Sequence, residues 1–142
     1  MADTSAPCPF CAIAAGTLPA SVVAEDDATV AFLDLRQFHP GHVLVIPRRH
    51  VPDIRTLDPV TGAALTAAVI RVSRAVDAAF PSDGLSLWHS AGEGANQEVP
   101  HLHVHVHPRR FGDNVLRVYP SPPDSPDRAT LDAWAARIRA EL

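Results

Sequence analysis

Residues 97–110 read Gln-Glu-Val-Pro-His-Leu-His-Val-His-Val-His-Pro-Arg-Arg. Four of the chain's eight histidines stand there on alternate positions: His101, His103, His105 and His107. Alternation is the period of a β-strand, whose successive side chains point to opposite faces. The four imidazoles therefore share one face, and Leu102, Val104 and Val106 share the other. The apolar face can anchor a strand against a core. The imidazole face gains nothing of that kind, because each ring needs a hydrogen-bond partner or solvent. Near neutral pH an imidazole is a nucleophile, a general acid or base and a metal ligand, so this face is the candidate for chemistry. Two plainer readings stand beside it: a half-buried strand with incidental histidines, and a metal strip. All four rings cannot serve one ion, since same-face residues recur at about 6.7 Å while ligand nitrogens lie about 2.0–2.1 Å from zinc.

The strand needs elements to position it. Residues 21–25 and 28–34 are β-rich runs around Asp26-Asp27, a hairpin signal. Residues 42–47 follow the turn His39-Pro40-Gly41 and read as a third strand. Asp58-Pro59 supplies an N-cap and a first-turn proline for a long helix to about Ala79, which Pro81 and Gly84 end. Residues 85–89 make a fourth strand, and residues 90–96 loop into the histidine strand. A proline-rich loop at 119–124 precedes a last helix from about Ser125-Pro126. On it Leu131, Trp134, Ala135, Ile138 and Leu142 form one apolar stripe. Strands grouped on either side of one long helix predict an α+β fold: an antiparallel sheet of about five strands, a long central helix and a C-terminal helix. We read residues 1–142 as one domain, with its core at about 8–113 and a C-terminal loop and helix at 114–142.

A chain of 142 residues with a net charge of −4 is ordinary for one globular domain and unsuited to sequence-independent polynucleotide binding. The local basic pairs Arg48-Arg49 and Arg109-Arg110 suit a small anionic ligand better. The N-terminus shows no basic segment followed by an apolar run, and no stretch reaches about 18 uninterrupted apolar residues. A cytoplasmic protein with no membrane partner is expected. Thiols stay reduced there, so Cys8 and Cys11 read as a metal-binding or redox pair rather than a disulfide.

With these elements placed, the chain resembles the histidine triad (HIT) superfamily, in its bacterial-type branch. The family signature, His-φ-His-φ-His-φ-φ with φ apolar, fits residues 101–106, and His107 stands where an apolar residue is usual. The resemblance also takes in Cys8-Pro9-Phe10-Cys11, Ala31-Phe32-Leu33-Asp34, the block Pro40-Gly41-His42-Val43-Leu44-Val45-Ile46-Pro47-Arg48-Arg49-His50, and Gln97. It implies a nucleotide hydrolase or nucleotidyl transferase acting at the α-phosphate of nucleoside phosphoramidates or dinucleoside polyphosphates. His103 would be the nucleophile, forming a transient nucleotidyl-imidazole, with His101 and His105 completing the triad. His105 would contact phosphate oxygens, and Gln97 would donate to the phosphate or the bridging oxygen. Asp34 would accept from the ribose hydroxyls, and Ser90 would lie near the phosphates. Phe10, Phe32 and Leu35 would wall a purine base, although plain core packing accounts for those three equally well.

The resemblance further implies a structural zinc held by Cys8, Cys11, His50 and His101, not required for turnover, and a homodimer. Two positions depart from the family: Ser90 stands where several branches carry asparagine, and Glu98 where some carry Ser or Thr. A carboxylate at 98 must be protonated, turned away or paired, with Arg109 as a candidate partner. His107 is expected at the solvent end of the strand. Rival readings are a nucleotide-binding regulatory protein with weak or no catalysis, a zinc-dependent hydrolase using the histidine strip, and, least favoured, a redox role for the thiols.

Overall fold

The computed structural model describes residues 7–142. Residues 1–6, on which the expectation of a leaderless N-terminus rests, lie outside the described residues. Strands β1 (Val22–Glu25), β2 (Thr29–Leu33), β3 (Val43–Pro47), β4 (Gly84–Trp88) and β5 (Val104–Arg109) form one antiparallel sheet in the order β1-β2-β3-β5-β4. Asp26 ties the β1–β2 turn, its Oδ1 accepting from Ala28 N–H at 2.9 Å and Thr29 N–H at 2.7 Å. That local bonding is what makes Asp a turn former.

β3 is the centre, buried along its whole length. Its side chains alternate between two cores, as the strand period requires. Val43 and Val45 join Ala31, Leu102 and Val106 against the helix α2 (Pro59–Ala79), which contributes Leu65, Ala68, Val69, Val72 and Val76. Leu44 and Ile46 join Val30, Phe32 and Phe10 on the opposite face. Asp58 caps α2 as expected, its Oδ2 accepting from Thr61 N–H at 3.0 Å, with Pro59 in the first turn. Leu65, Val69, Val72 and Val76 are spaced as one helical stripe, and burying each contributes about 2 kcal/mol. The short helix α1 (Pro9–Ala14), which sequence reasoning missed, carries Phe10 into the second core.

The histidine segment is only partly strand. β5 begins at Val104, its pairing with β3 ending at Val45, and Leu102 N–H donates instead to the Val51 carbonyl at 2.6 Å. The alternation nonetheless holds from residue 101: Leu102 and Val106 are buried toward α2, while His101, His103 and His107 are buried on the opposite side. His107 does not sit at a solvent end. It is 2% exposed, packed against the rings of His39, His42 and Trp88, and its Nδ1 donates to the Pro108 carbonyl at 2.7 Å. Side chains from β4 and from the segment before β3 cover it, which the pattern of a single strand does not disclose.

The last helix, α3 (Arg128–Arg139), starts two residues after its expected position, with Asp127 accepting from Thr130 N–H at 2.8 Å. None of its residues is buried, so its apolar stripe remains exposed on this chain. Among the described residues no helix is long and apolar enough to cross a membrane.

Burying imidazoles has a cost in acid. Burial first, and nearby rings after it, hold His42, His105 and His107 below the ordinary imidazole range, His105 at about 3. The unfolded chain takes up these protons near pH 6.5 and the folded chain only at lower pH. Their contribution to stability is therefore complete above about pH 6.5 and is lost as the pH falls. The urea midpoint should decline between pH 7.5 and pH 5, a window above the carboxylate range. A midpoint flat across that window would contradict this reading.

Candidate active site

Between α1 and the imidazole face of the sheet lies a cleft of about 670 Å³, within the size range of small-molecule sites. It is lined by Phe10, Phe32, Asp34, Leu35, Ser90, His103 and His105, among others. Six of the seven residues expected to bind a nucleotide therefore share one cavity. Phe10 and Phe32 serve both as core and as wall, while Leu35 is fully exposed at the rim and belongs to no core.

His103 is the best-defined group. Its Nδ1 lies 2.7 Å from the His101 carbonyl. A carbonyl can only accept, so Nδ1 carries the proton and Nε2 of the neutral ring keeps its lone pair. Burial lowers the proton affinity of His103, which keeps the ring neutral near pH 7. Phe10 packs edge-on against it, with ring centres 5.2 Å apart. His89, at the end of β4, supports the segment from behind. Its Nε2 accepts from Ile54 N–H at 3.2 Å, and its Nδ1 donates to the His103 carbonyl at 3.1 Å.

His105 stacks on Trp88, with centres 4.4 Å apart and planes 7° from parallel. Its Nδ1 meets Nε2 of His42 at 2.9 Å, and the other side of His42 lies 3.8 Å from Asp34 Oδ2. Asp34, His42 and His105 thus bring three ligand-type atoms within 4.8 Å of one another, but the two rings face each other as hydrogen-bond partners. Trp88, His42 and His89 were missing from the expected site. Only His42 had a local signal, following the Pro40-Gly41 turn.

Two residues have partners other than the expected ones. Gln97 stands back from the cleft: its Oε1 accepts from Gly92 N–H at 2.8 Å and its Nε2 donates to the Pro52 carbonyl at 2.7 Å. The carboxamide braces the loop before the triad instead of presenting a donor to a phosphate. Glu98 is paired, but with Arg36 at 2.6 Å rather than with Arg109, whose Nε binds Asp113 at 2.9 Å.

Beside the cleft, Cys8, Cys11, His50 and His101 form a second cluster. Cys8 Sγ is 3.4 Å and Cys11 Sγ 3.5 Å from His101 Nδ1, and Cys11 Sγ is 3.3 Å from His50 Nδ1. Tetrahedral zinc with Zn–S of about 2.3 Å and Zn–N of about 2.0–2.1 Å separates S and N ligands by about 3.5 Å, so the spacing fits. The tautomer fits too, because His101 Nε2 donates to the Pro47 carbonyl at 2.8 Å and leaves the Nδ1 lone pair facing the thiols. Burial, and then the adjacent Cys8, push the Cys11 thiol up to about 11. As a free thiol Cys11 would be a poor nucleophile, which weighs against a redox role for it. His101 thus faces the thiols with its ring and serves the cleft through its carbonyl.

A HIT domain model matches residues 15–112. The chain is 41% identical over 109 residues to an uncharacterized HIT-like protein of Mycobacterium tuberculosis, covering 77% of this chain and 76% of that one. It is 35% identical over 106 residues to an adenylylsulfatase of Arabidopsis thaliana (75% of this chain, 54% of that one). It is 38% identical over 85 residues to the asymmetrical bis(5'-nucleosyl)-tetraphosphatase of Schizosaccharomyces pombe (60% and 47%). A HIT-family protein structure from Bacillus subtilis superposes with a TM-score of 0.90 at 32% identity, covering 96% of this chain and 98% of that one. A zinc-bound histidine triad family protein from Mycobacterium smegmatis superposes with a TM-score of 0.70 at 36% identity, covering 95% and 97%. A domain model spanning most of the chain, relatives at this identity and a shared five-stranded fold together make this protein a member of the HIT family.

Proposed function

We propose that this protein is a cytoplasmic, homodimeric nucleotide hydrolase or nucleotidyl transferase that works at the α-phosphate through a nucleotidyl-His103 intermediate. The observation that carries the proposal is the His103 ring, its Nδ1 tied to the His101 carbonyl and its Nε2 bare, in a cleft of nucleotide size beside His105 and Asp34. The relatives named as an adenylylsulfatase and a bis(5'-nucleosyl)-tetraphosphatase add support, since both names specify nucleotide substrates.

In this reading Phe10, Phe32 and Leu35 hold a purine and the Asp34 carboxylate accepts from the ribose hydroxyls. His103 Nε2 attacks phosphorus, the bond to the leaving group breaks, and the His101 carbonyl accepts from Nδ1–H throughout. His105 contacts the phosphate oxygens while charge shifts among them. Water or another acceptor then displaces the imidazole, releasing the nucleoside monophosphate. Imidazole suits both steps, being a nucleophile and afterwards a leaving group. Cys8, Cys11, His50 and His101 would hold the zinc, which would supply a structural crosslink between the first helix and the histidine segment. A nucleotide-binding protein with little turnover is the second reading, and it is favoured by the position of Gln97, which withholds the donor expected at the phosphate.

Wild-type protein should release AMP from adenosine phosphoramidate or diadenosine tetraphosphate, and His103→Ala should cut kcat/KM by at least about 1000-fold. Nucleotide binding without release, unaltered in His103→Ala, would favour the second reading. Purified protein should contain close to one zinc per chain, and a chelator should lower its Tm markedly. Metal-free protein whose Tm ignores chelator would rule out the structural zinc.

A further inference from the structure

Three charged side chains line the cleft: Asp34, Arg36 and Glu98. Arg36 is the one cation among them, and it is already engaged. Its Nη2 donates to Glu98 Oε2 at 2.6 Å and its Nη1 to Glu98 Oε1 at 3.3 Å, while its Nε lies 4.0 Å from Asp34. Arg36 belongs to the segment after β2 and Glu98 to the loop before the triad, so the bond joins two walls of the cleft. Both side chains are largely exposed, 76% and 66%, which places the pair at the rim.

An exposed pair of this kind contributes little to folding. Its two-pronged geometry is nonetheless demanding, and it fixes where both charges stand. With the pair closed, the lined charges sum to about −1, and no unpaired cation meets an incoming group. A polyphosphate leaving group has to lie beside Glu98 or draw Arg36 away from it. An amine leaving group brings no negative charge and leaves the pair intact.

We propose that the Arg36–Glu98 clasp determines the leaving group, selecting uncharged or cationic amines over polyanionic phosphates. The inference rests on the α-phosphate reading above and makes Arg36 and Glu98 specificity-determining residues.

The test is the ratio of kcat/KM for diadenosine tetraphosphate to that for adenosine phosphoramidate in Glu98→Gln, Arg36→Gln and the double variant. Glu98→Gln frees the guanidinium and should raise the ratio about tenfold at low ionic strength, and Arg36→Gln should lower it by about as much, both effects shrinking in high salt. The double variant separates the clasp from net charge: a ratio above wild type is expected, because nothing then holds a carboxylate beside the leaving group, and a ratio equal to wild type overturns the clasp. The affinity of ATP relative to AMP in the same variants reads the same charge without turnover and should shift in the same directions. If both ratios stay unmoved in the single variants while wild type cleaves or binds nucleotides, the clasp is overturned and the α-phosphate reading stands. A wild type that neither cleaves nor binds them overturns both.

Discussion

A main-chain carbonyl accepts hydrogen bonds and never donates them, so an imidazole nitrogen held against one must carry its proton. This constraint assigns the histidines of residues 101–107 their different tasks. His101 gives its Nε2 proton to Pro47 and turns a lone pair toward two thiols. His103 gives its Nδ1 proton to His101 and turns a lone pair into the cleft. His107 gives its Nδ1 proton to Pro108 within a packed cluster of rings. Identical side chains on one face thereby differ in what their second nitrogen meets: two thiols, the open cleft, or a packed cluster of rings. The carbonyls that distinguish them come from the end of β3 and from the histidine segment itself, so roles are set by the backbone path.

That path depends on β3 being covered on both faces. The long helix closes one face with a wholly apolar stripe. The other is closed only in part, by Phe10 of the short first helix against Phe32, Leu44 and Ile46. The part left uncovered is the cleft. Phe10 consequently belongs to the second core, touches both His101 and His103, and lines the cavity. Phe10 is core residue and cavity wall at once, which is why residue type alone does not separate core packing from a cleft lining.

Much of the fold was legible because its determinants are local. Period-two alternation marked the strands, Asp58-Pro59 marked the long helix, and Asp26 marked the hairpin. The imidazole face was legible for the same reason. The misses share a different cause. Glu98 chose a partner 62 residues away instead of the arginine nearby in sequence. Gln97 spent its carboxamide on the loop that carries it, and His107 was enclosed by His39 and Trp88 from separate segments. Those outcomes follow from how distant loops meet, which spacing within one segment does not encode. The first helix escaped notice because six residues, begun by a proline, are too few to show a helical period.

The stack of Trp88 on His105 gives the molecule an optical property. The chain has two tryptophans, and the other, Trp134, stands on the exposed C-terminal helix away from the cleft. The emission of an indole in face contact with an imidazole depends on the charge and substitution of that ring, because a protonated or modified imidazole quenches it differently. Trp88 therefore acts as a built-in fluorophore at the cleft, with Trp134 contributing a steady background emission, and the chain can report on its own cavity without any attached dye.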